Sequence, residues 1–342
     1  MLQFSANGED HEAARFHRWP DDRGVTGRAQ AQQTGKVYRI ALAHPTAPVA
    51  DQNQASKGSF VIPAMFEQLT RLGYVEGRNL LIERYSGEGR AAHYPDLARQ
   101  IVSRNPDLIV VIANDFVLDV KAATSTIPIV GIFGAPIDNG IVPSLARPGG
   151  NITGVSVDVG YDQWEKRIQL LKEVVPQITR LGLLIISRQG ATWVGPTRQR
   201  LRNSVSFVGP PLEWPTDEQA YHRVFAALAQ EGAEGLVVSD AAENLTYRRL
   251  IVELAAKGRL PTIYPYRQFV EAGGLMSYGI DVSDLGHRVA DLVDKILKGA
   301  KPGEIPIFQP TKYELSINLK TARTLGIELP PSLVALADNV IE

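Results

Sequence analysis

The sequence predicts an α/β protein of two similar lobes, each built on a parallel β-sheet. Three observations carry that expectation. Short runs that are apolar at nearly every position alternate with segments whose apolar residues recur at helical spacing. Parallel strands covered on both faces by helices read this way. The series runs twice, with a turn at Arg147-Pro148-Gly149-Gly150 between the halves. No glycine-rich phosphate loop follows the first strand, which ends Ala43-His44-Pro45-Thr46, so a dinucleotide is not the expected ligand.

The strand runs are residues 37–43, 79–85, 107–112, 127–132, 181–186, 234–238 and 261–264. Between them Ile62, Met65, Phe66 and Leu69 share one helical face, as do Tyr94, Leu97, Ala98, Ile101 and Val102. In the second half Tyr247, Leu250, Ile251, Leu254 and Ala255 repeat the spacing. Residues 151–157 read as extended and lead to a helix starting near Trp164. The helix of Leu285, Val289, Leu292, Val293 and Ile296 is expected to stop at Lys298-Gly299, a cationic last turn before a C′ glycine. No Pro-rich or Ser-rich tether separates the halves. The connections are therefore expected to be short extended hinges at residues 151–157 and 274–280, with Gly154, Gly274 and Gly279 absorbing the dihedral change.

The chain of 342 residues is long enough for two domains, and 44% hydrophobic with 21% charged residues is a globular composition. Lys and Arg number 36 against 37 acids, so bulk charge points to neither nucleic acid nor an anionic membrane. No apolar run reaches the ~20 residues of a membrane span, so no direct membrane insertion is expected. Cysteine is absent, which excludes disulfides, thiolate catalysis and Cys-ligated zinc. Residues 1–36 have no periodic apolar pattern and are expected to be disordered. They contain no apolar core of a signal peptide, although Ala29-Gln30-Ala31 has the small-x-small form of a cleavage site. Two readings stay open: an export signal lost to a misassigned start, or a cytoplasmic protein with a tail.

Reactive centres are missing from the pattern. There is no G-x-S-x-G elbow, and the six histidines show no metal spacing. Neither enzyme activity nor a cofactor is expected. Polar residues instead collect at the C-terminal ends of the predicted strands: His44 and Thr46, Asn114 and Asp115, Asp138 and Asn139, Arg188, Asp240, and Tyr264 to Arg267. Open α/β sheets bind ligands at that edge, and this set suits a small polar or zwitterionic molecule. Arg267 is the expected partner of a ligand carboxylate, with Tyr264, Tyr266 and Tyr278 as stacking faces. Arg188 reads better as a solvated surface residue, and Asp115 as a helix N-cap.

Several segments occur together in order: LTRLGYVEGRNLLIERYSGEG from residue 69, PSLARPGGNITGVSV from 143, GGLMSYGIDVSDLG from 273 and QPTKYELSINLKTARTLGI from 309. Their combination resembles the tryptophan-binding-like solute-binding proteins of bacterial ABC importers, over residues 38 to 342. The resemblance implies a type I periplasmic-binding fold: two Rossmann-like lobes, three crossing segments and a ligand in the cleft. It implies one lobe of residues 37–154 plus 281–306 and a second of 155–280 plus 307–342. It implies ligand contacts at His44, Thr46, Asn114, Asp115, Pro136, Asp138, Val155, Ser156, Asp240, Tyr264, Tyr266, Arg267 and Tyr278. The implied role is capture of an amino acid or an aromatic or organic acid for an ABC permease and ATPase, in the periplasm. The alternative is a cytoplasmic ligand-sensing module of the same fold. Two departures stand out: residues 188–215 are short for the usual helix and strand, and Gly134-Ala135-Pro136-Ile137-Asp138 replaces a more usual Asp-Pro.

Overall fold

A computed structural model describes residues 36–56, 60–157, 162–186, 205–213 and 216–342, together with Gln199. The expectations for residues 1–35 and for Arg188, and most of the path of residues 188–215, lie outside the described residues. The strands are β1 (Tyr38–His44), β2 (Leu80–Ser86), β3 (Leu108–Ile112), β4 (Ile129–Phe133), β5 (Ile152–Ser156), β6 (Arg180–Leu184), β7 (Ser206–Val208), β8 (Gly235–Val238), β9 (Thr262–Tyr264), β10 (Met276–Gly279), β11 (Glu314–Asn318) and β12 (Asn339–Ile341). The helices are α1 (Val61–Arg71), α2 (Tyr94–Ser103), α3 (Asn114–Ala123), α4 (Asp162–Val174), α5 (Glu218–Gln230), α6 (Ala242–Thr246), α7 (Arg248–Lys257), α8 (Arg267–Glu271), α9 (Val282–Leu297), α10 (Leu319–Leu325) and α11 (Pro331–Ala335).

Two sheets form, as the alternating pattern predicts. The first has the order β2-β1-β3-β4-β5 and is parallel throughout. Its central strands are apolar at every position because both faces are covered. Leu108 and Val110 of β3 pack with Ile62 and Met65 of α1 and with Leu285 and Val289 of α9. Ile109 and Val111, pointing the other way, pack with Tyr94 and Ile101 of α2 and Phe116 of α3. The second sheet has the order β12-β11-β10-β9-β8-β6-β7. It is parallel except where β11 runs antiparallel to β10.

The chain passes between the sheets after β5, between β10 and α9, and again between α9 and β11. Asp281 ends the second passage by capping α9: its Oδ1 accepts the Ser283 N–H at 2.8 Å. The passages sit later than the sequence suggested. Val155 and Ser156 lie in the first sheet, opposite Ile132 and Phe133, and residues 276–279 are β10 within the second. Gly154 is no hinge, because a Cβ there would lie 2.0 Å from the Gly131 oxygen of β4. It is a glycine so that β4 and β5 can approach.

The contact of α1 with α9 returns residues 282–297 to the first sheet, so it fixes where both cross-passages end. That contact depends on Gly286, where a Cβ would come within 2.3 Å of the Val61 oxygen and 2.7 Å of the Ala64 Cβ. On an exposed helix Gly→Ala gains about 0.5–1 kcal/mol. Here Gly286→Ala is expected to lose on the order of 1–3 kcal/mol by overpacking. Urea-unfolding midpoints decide the sign, and a stabilised variant would show that the helices part freely.

Candidate functional site

The C-terminal ends of both sheets enclose a cavity of about 100 Å³. One water requires roughly 10–15 Å³ on this measure, so the space suits a small organic molecule. In each sheet the strand order reverses beside the cavity, between β1 and β3 in the first and between β6 and β8 in the second. Ligands of open α/β sheets bind at such switch points, where loops diverge to either side.

The first lobe contributes His44, Ala113, Asn114, Phe133, Gly134 and Asn139. His44 ends β1 and is buried, and its Nδ1 accepts the N–H groups of Thr46 at 3.1 Å and Ala47 at 2.8 Å. That arrangement needs an unprotonated Nδ1, which leaves Nε2–H as the donor of the neutral ring. Burial pushes the His44 pKa down to about 3. Asn114 opens α3 and exchanges two hydrogen bonds with Gly134: Nδ2 donates to the Gly134 oxygen at 2.9 Å, and the Gly134 N–H donates to Oδ1 at 2.8 Å. The loops after β3 and β4 are thereby tied together. Ala113 between them holds φ +82°, a region costly for a residue with a Cβ, and its N–H is anchored on the Ile132 oxygen at 3.0 Å.

The second lobe contributes Trp164, Ile185, residues 239–243, Leu245, Thr246 and Tyr266. The segment after β8 is pinned by Asn244. Its Nδ2 donates to Ser239 Oγ at 2.9 Å, and its Oδ1 accepts from Tyr221 Oη at 3.0 Å. Tyr266 Oη donates to the Asp240 carbonyl at 3.1 Å. Two carboxyl groups are thus held at fixed places in a poorly hydrated wall. Burial raises the pKa of Glu243 to about 7, and the charge of Asp115 adds to the effect. Burial also raises that of Asp240, against the pull of Arg167. The Asp240 residue keeps partial exposure while its carboxyl group is desolvated, so the direction of that shift is what the chemistry requires. Among the described residues lining the cavity there is no Lys or Arg.

Arg167 lies behind this wall, fully buried. Its Nε donates to the Tyr278 carbonyl at 2.8 Å and its Nη2 to Gln163 Oε1 at 3.2 Å. The Trp164 ring centre is 5.8 Å from its guanidinium carbon, within cation–π range.

Of the residues singled out from sequence, His44, Asn114, Asn139, Asp240 and Tyr266 line the cavity. Thr46 sits at its mouth, with its hydroxyl 3.0 Å from that of Thr246 in the other lobe. Asp115 is one residue further into α3, off the lining but close enough to act on Glu243. The others are placed elsewhere. Pro136 is buried in its turn, its carbonyl accepting the Ile141 and Val142 N–H groups, and Asp138 is exposed, so the neighbouring Asn139 faces the cavity. Val155 and Ser156 are interior residues of β5. Tyr264 stacks on Phe269 at 4.9 Å, and Tyr278 on Tyr313 at 5.6 Å. Arg267, the expected carboxylate partner, instead bonds Glu271 at 3.0 Å and lies 3.8 Å from Glu314, outside the cavity. It opens α8, which turns its side chain away from Tyr266. Sequence reasoning passed over Phe133, Trp164 and Glu243. Glu243 reads as an ordinary first-turn helix acid, and only its place five residues past the end of a strand hinted otherwise.

His44 gives a pH signature. Its folded pKa of about 3 lies below its ordinary 6.5, so the stability it contributes is present above pH 6.5 and is lost as pH falls toward 3. Acidification to pH 4, 2.5 units below 6.5, should remove on the order of 3 kcal/mol through this group. His44→Gln should be less stable at pH 7.5 but decline less steeply on acidification. Urea midpoints measured across pH test this, and parallel slopes would show that His44 carries a proton in the fold.

Known proteins share this architecture. A domain of unstated role from Vibrio cholerae O1 biovar El Tor matches with a TM-score of 0.78 and 24% identity, covering 89% of this chain and 100% of that one. The ABC domain of a Streptococcus pneumoniae protein in complex with L-Trp matches with a TM-score of 0.76 and 24% identity, over 89% and 99% of the two chains. A tyrosine-binding protein of Clostridioides difficile is 24% identical over 263 residues, 75% of this chain and 73% of that protein. The family model for ABC transporter substrate binding proteins matches residues 61–341, which take in every strand of both sheets except β1. Two sheets closing on a ligand-sized cavity, matched over that length, make this chain a member of the ABC transporter substrate-binding protein family.

Proposed function

We propose that the protein captures a small molecule carrying a protonated amine and an apolar or aromatic body, with an amino acid as the foremost candidate, and delivers it to the permease and ATPase of an ABC importer at the periplasmic face. One observation carries this reading. Asp240 and Glu243 line a cavity whose described walls hold no cationic side chain. A buried carboxylate requires a counter-charge, and a ligand ammonium would supply it. Trp164 and Tyr266 on the same wall and Phe133 on the opposite one would add aromatic area and a cation–π contribution.

The neutral His44, with Nε2–H as its donor, and the N-terminal turn of α3 offer hydrogen bonds for a carboxylate at the other end of the ligand. In this reading Arg267 takes no part. The relatives described as binding L-Trp and tyrosine support an amino acid. The lobes would divide at the three passages, and the ligand would leave unchanged.

Calorimetric titration with L-tyrosine, L-tryptophan, tryptamine and 3-indolepropionate tests the charge. Compounds with an amine should bind and the deaminated acid should not. Asp240→Asn should cost on the order of 2–5 kcal/mol of binding, the range for truncating a buried charge pair. Tight binding of 3-indolepropionate, unchanged in Asp240→Asn, would refute the reading.

A further inference from the structure

The cavity does not end at its mouth. Thr246, the last residue of α6, lines it and also lines a second, open pocket of about 400 Å³. Both lobes wall this outer space. Thr46 after β1, with Ser86 and Glu88 at the end of β2, comes from the first lobe, and Thr216, Thr246 and Tyr247 come from the second. A Cβ built on Gly89 would lie 3.5 Å from the Thr216 carbonyl oxygen, so the lobes approach each other here as well.

A chain of hydroxyls stands between the two spaces. Thr246 Oγ donates to the Ala242 carbonyl at 3.0 Å. A hydroxyl has one proton to give, so in the 3.0 Å contact of Thr46 with Thr246 the proton comes from Thr46. A neutral bond of this kind is exchanged for bonds to a ligand at little net cost. The outer walls are polar without an unpaired charge: Glu88 is the one charged side chain among the described residues lining them, and it pairs with Arg90. Ser86 Oγ accepts the Glu88 N–H at 3.1 Å, which leaves its own proton for another acceptor. Hydroxyls with no cation beside them suit a neutral amide, which both donates and accepts, better than a carboxylate, whose burial requires a counter-charge.

We propose that the outer pocket is a second subsite of the ligand site, taking the amide-linked extension of a ligand whose amino-terminal residue fills the inner cavity, so that dipeptides and related amides bind as well as free amino acids. The inference rests on the reading of the inner cavity as an amine site. In that reading the carboxyl end of the ligand lies at His44, and His44 holds the Thr46 N–H at 3.1 Å. The end of the ligand that faces His44 therefore faces the threshold at Thr46. An amide carbonyl accepts a hydrogen bond from a neutral imidazole as a carboxylate does, so the extension keeps the inner contacts. Size agrees: about 400 Å³ outside against about 100 Å³ inside leaves room for a second residue.

Calorimetric titration of the full chain with L-tryptophan and L-tryptophyl-glycinamide tests this. Val49 is 48% exposed and lines the outer pocket but not the inner cavity, so Val49→Trp fills the outer space without disturbing the core. The wild type should bind both compounds. Val49→Trp should bind L-tryptophan as the wild type does and lose L-tryptophyl-glycinamide. Ser86→Ala should weaken the amide by roughly 3–10-fold, the value of one neutral hydrogen bond, and leave L-tryptophan unchanged. If L-tryptophan binds and the amide does not, or if the amide binds all three proteins equally, the subsite falls and the amine reading stands. If neither compound binds, the amine reading falls and the subsite with it.

Discussion

A carboxylate held out of water without a cation is among the more costly features a fold can carry, since desolvation penalises the charged form and nothing repays it. This protein holds two acids out of water at the meeting of its two sheets: Asp240, on which the buried Arg167 acts from behind the wall, and Glu243, on which no cation acts among the described residues. The surrounding structure fixes them there. Asn244 ties their segment to Ser239, Tyr266 holds the Asp240 carbonyl, and Tyr221 closes the network from α5. With the backbone of that segment tied in place, an ammonium entering the cavity as proposed would meet acids already desolvated.

The opposite wall follows a different economy. His44 and Asn114 spend their hydrogen-bonding groups on backbone: His44 on the turn after β1, Asn114 on the loop after β4. They shape the cavity and present neutral donors, so its acidic groups come from the second lobe. Contacts between the lobes at the mouth include, among the described residues, the Thr46–Thr246 hydroxyl pair and the Arg248 guanidinium 4.9 Å from the Phe60 ring centre.

Much of the fold was legible because its strands are buried on both faces. Residues 107–112 and 127–132 are nearly all apolar, and runs that short between helix-period segments read as parallel strands covered on both faces. The C-terminal strands were harder. β11 reads Glu-Leu-Ser-Ile-Asn and pairs antiparallel at the sheet margin, and β12 is three partly exposed residues. Neither presents the apolar run of a central strand. Position after a strand pointed to His44, Asn114, Asn139, Asp240 and Tyr266, all of which line the cavity, but it could not give side-chain direction. Tyr266 and Arg267 are neighbours, yet one faces the cavity and the other pairs with Glu271 on the outside. The turn at residues 134–140 likewise turns Asn139 inward and leaves Asp138 exposed. Arg167 hid in plain view, because an arginine beside Glu165 and Lys166 on a helix reads as solvated surface until the packing shows it buried.

The central claim is that the ligand's positive charge answers two buried acids. A crystal structure of the protein with its bound amine or amino acid tests that most directly. The account predicts the ligand nitrogen within about 2.7–2.9 Å of a carboxylate oxygen of Asp240 or Glu243, the distance of a charge-assisted hydrogen bond, with its apolar body against Trp164 or Phe133. A ligand that turns its anionic group toward those acids, or sits outside the cavity, would contradict it.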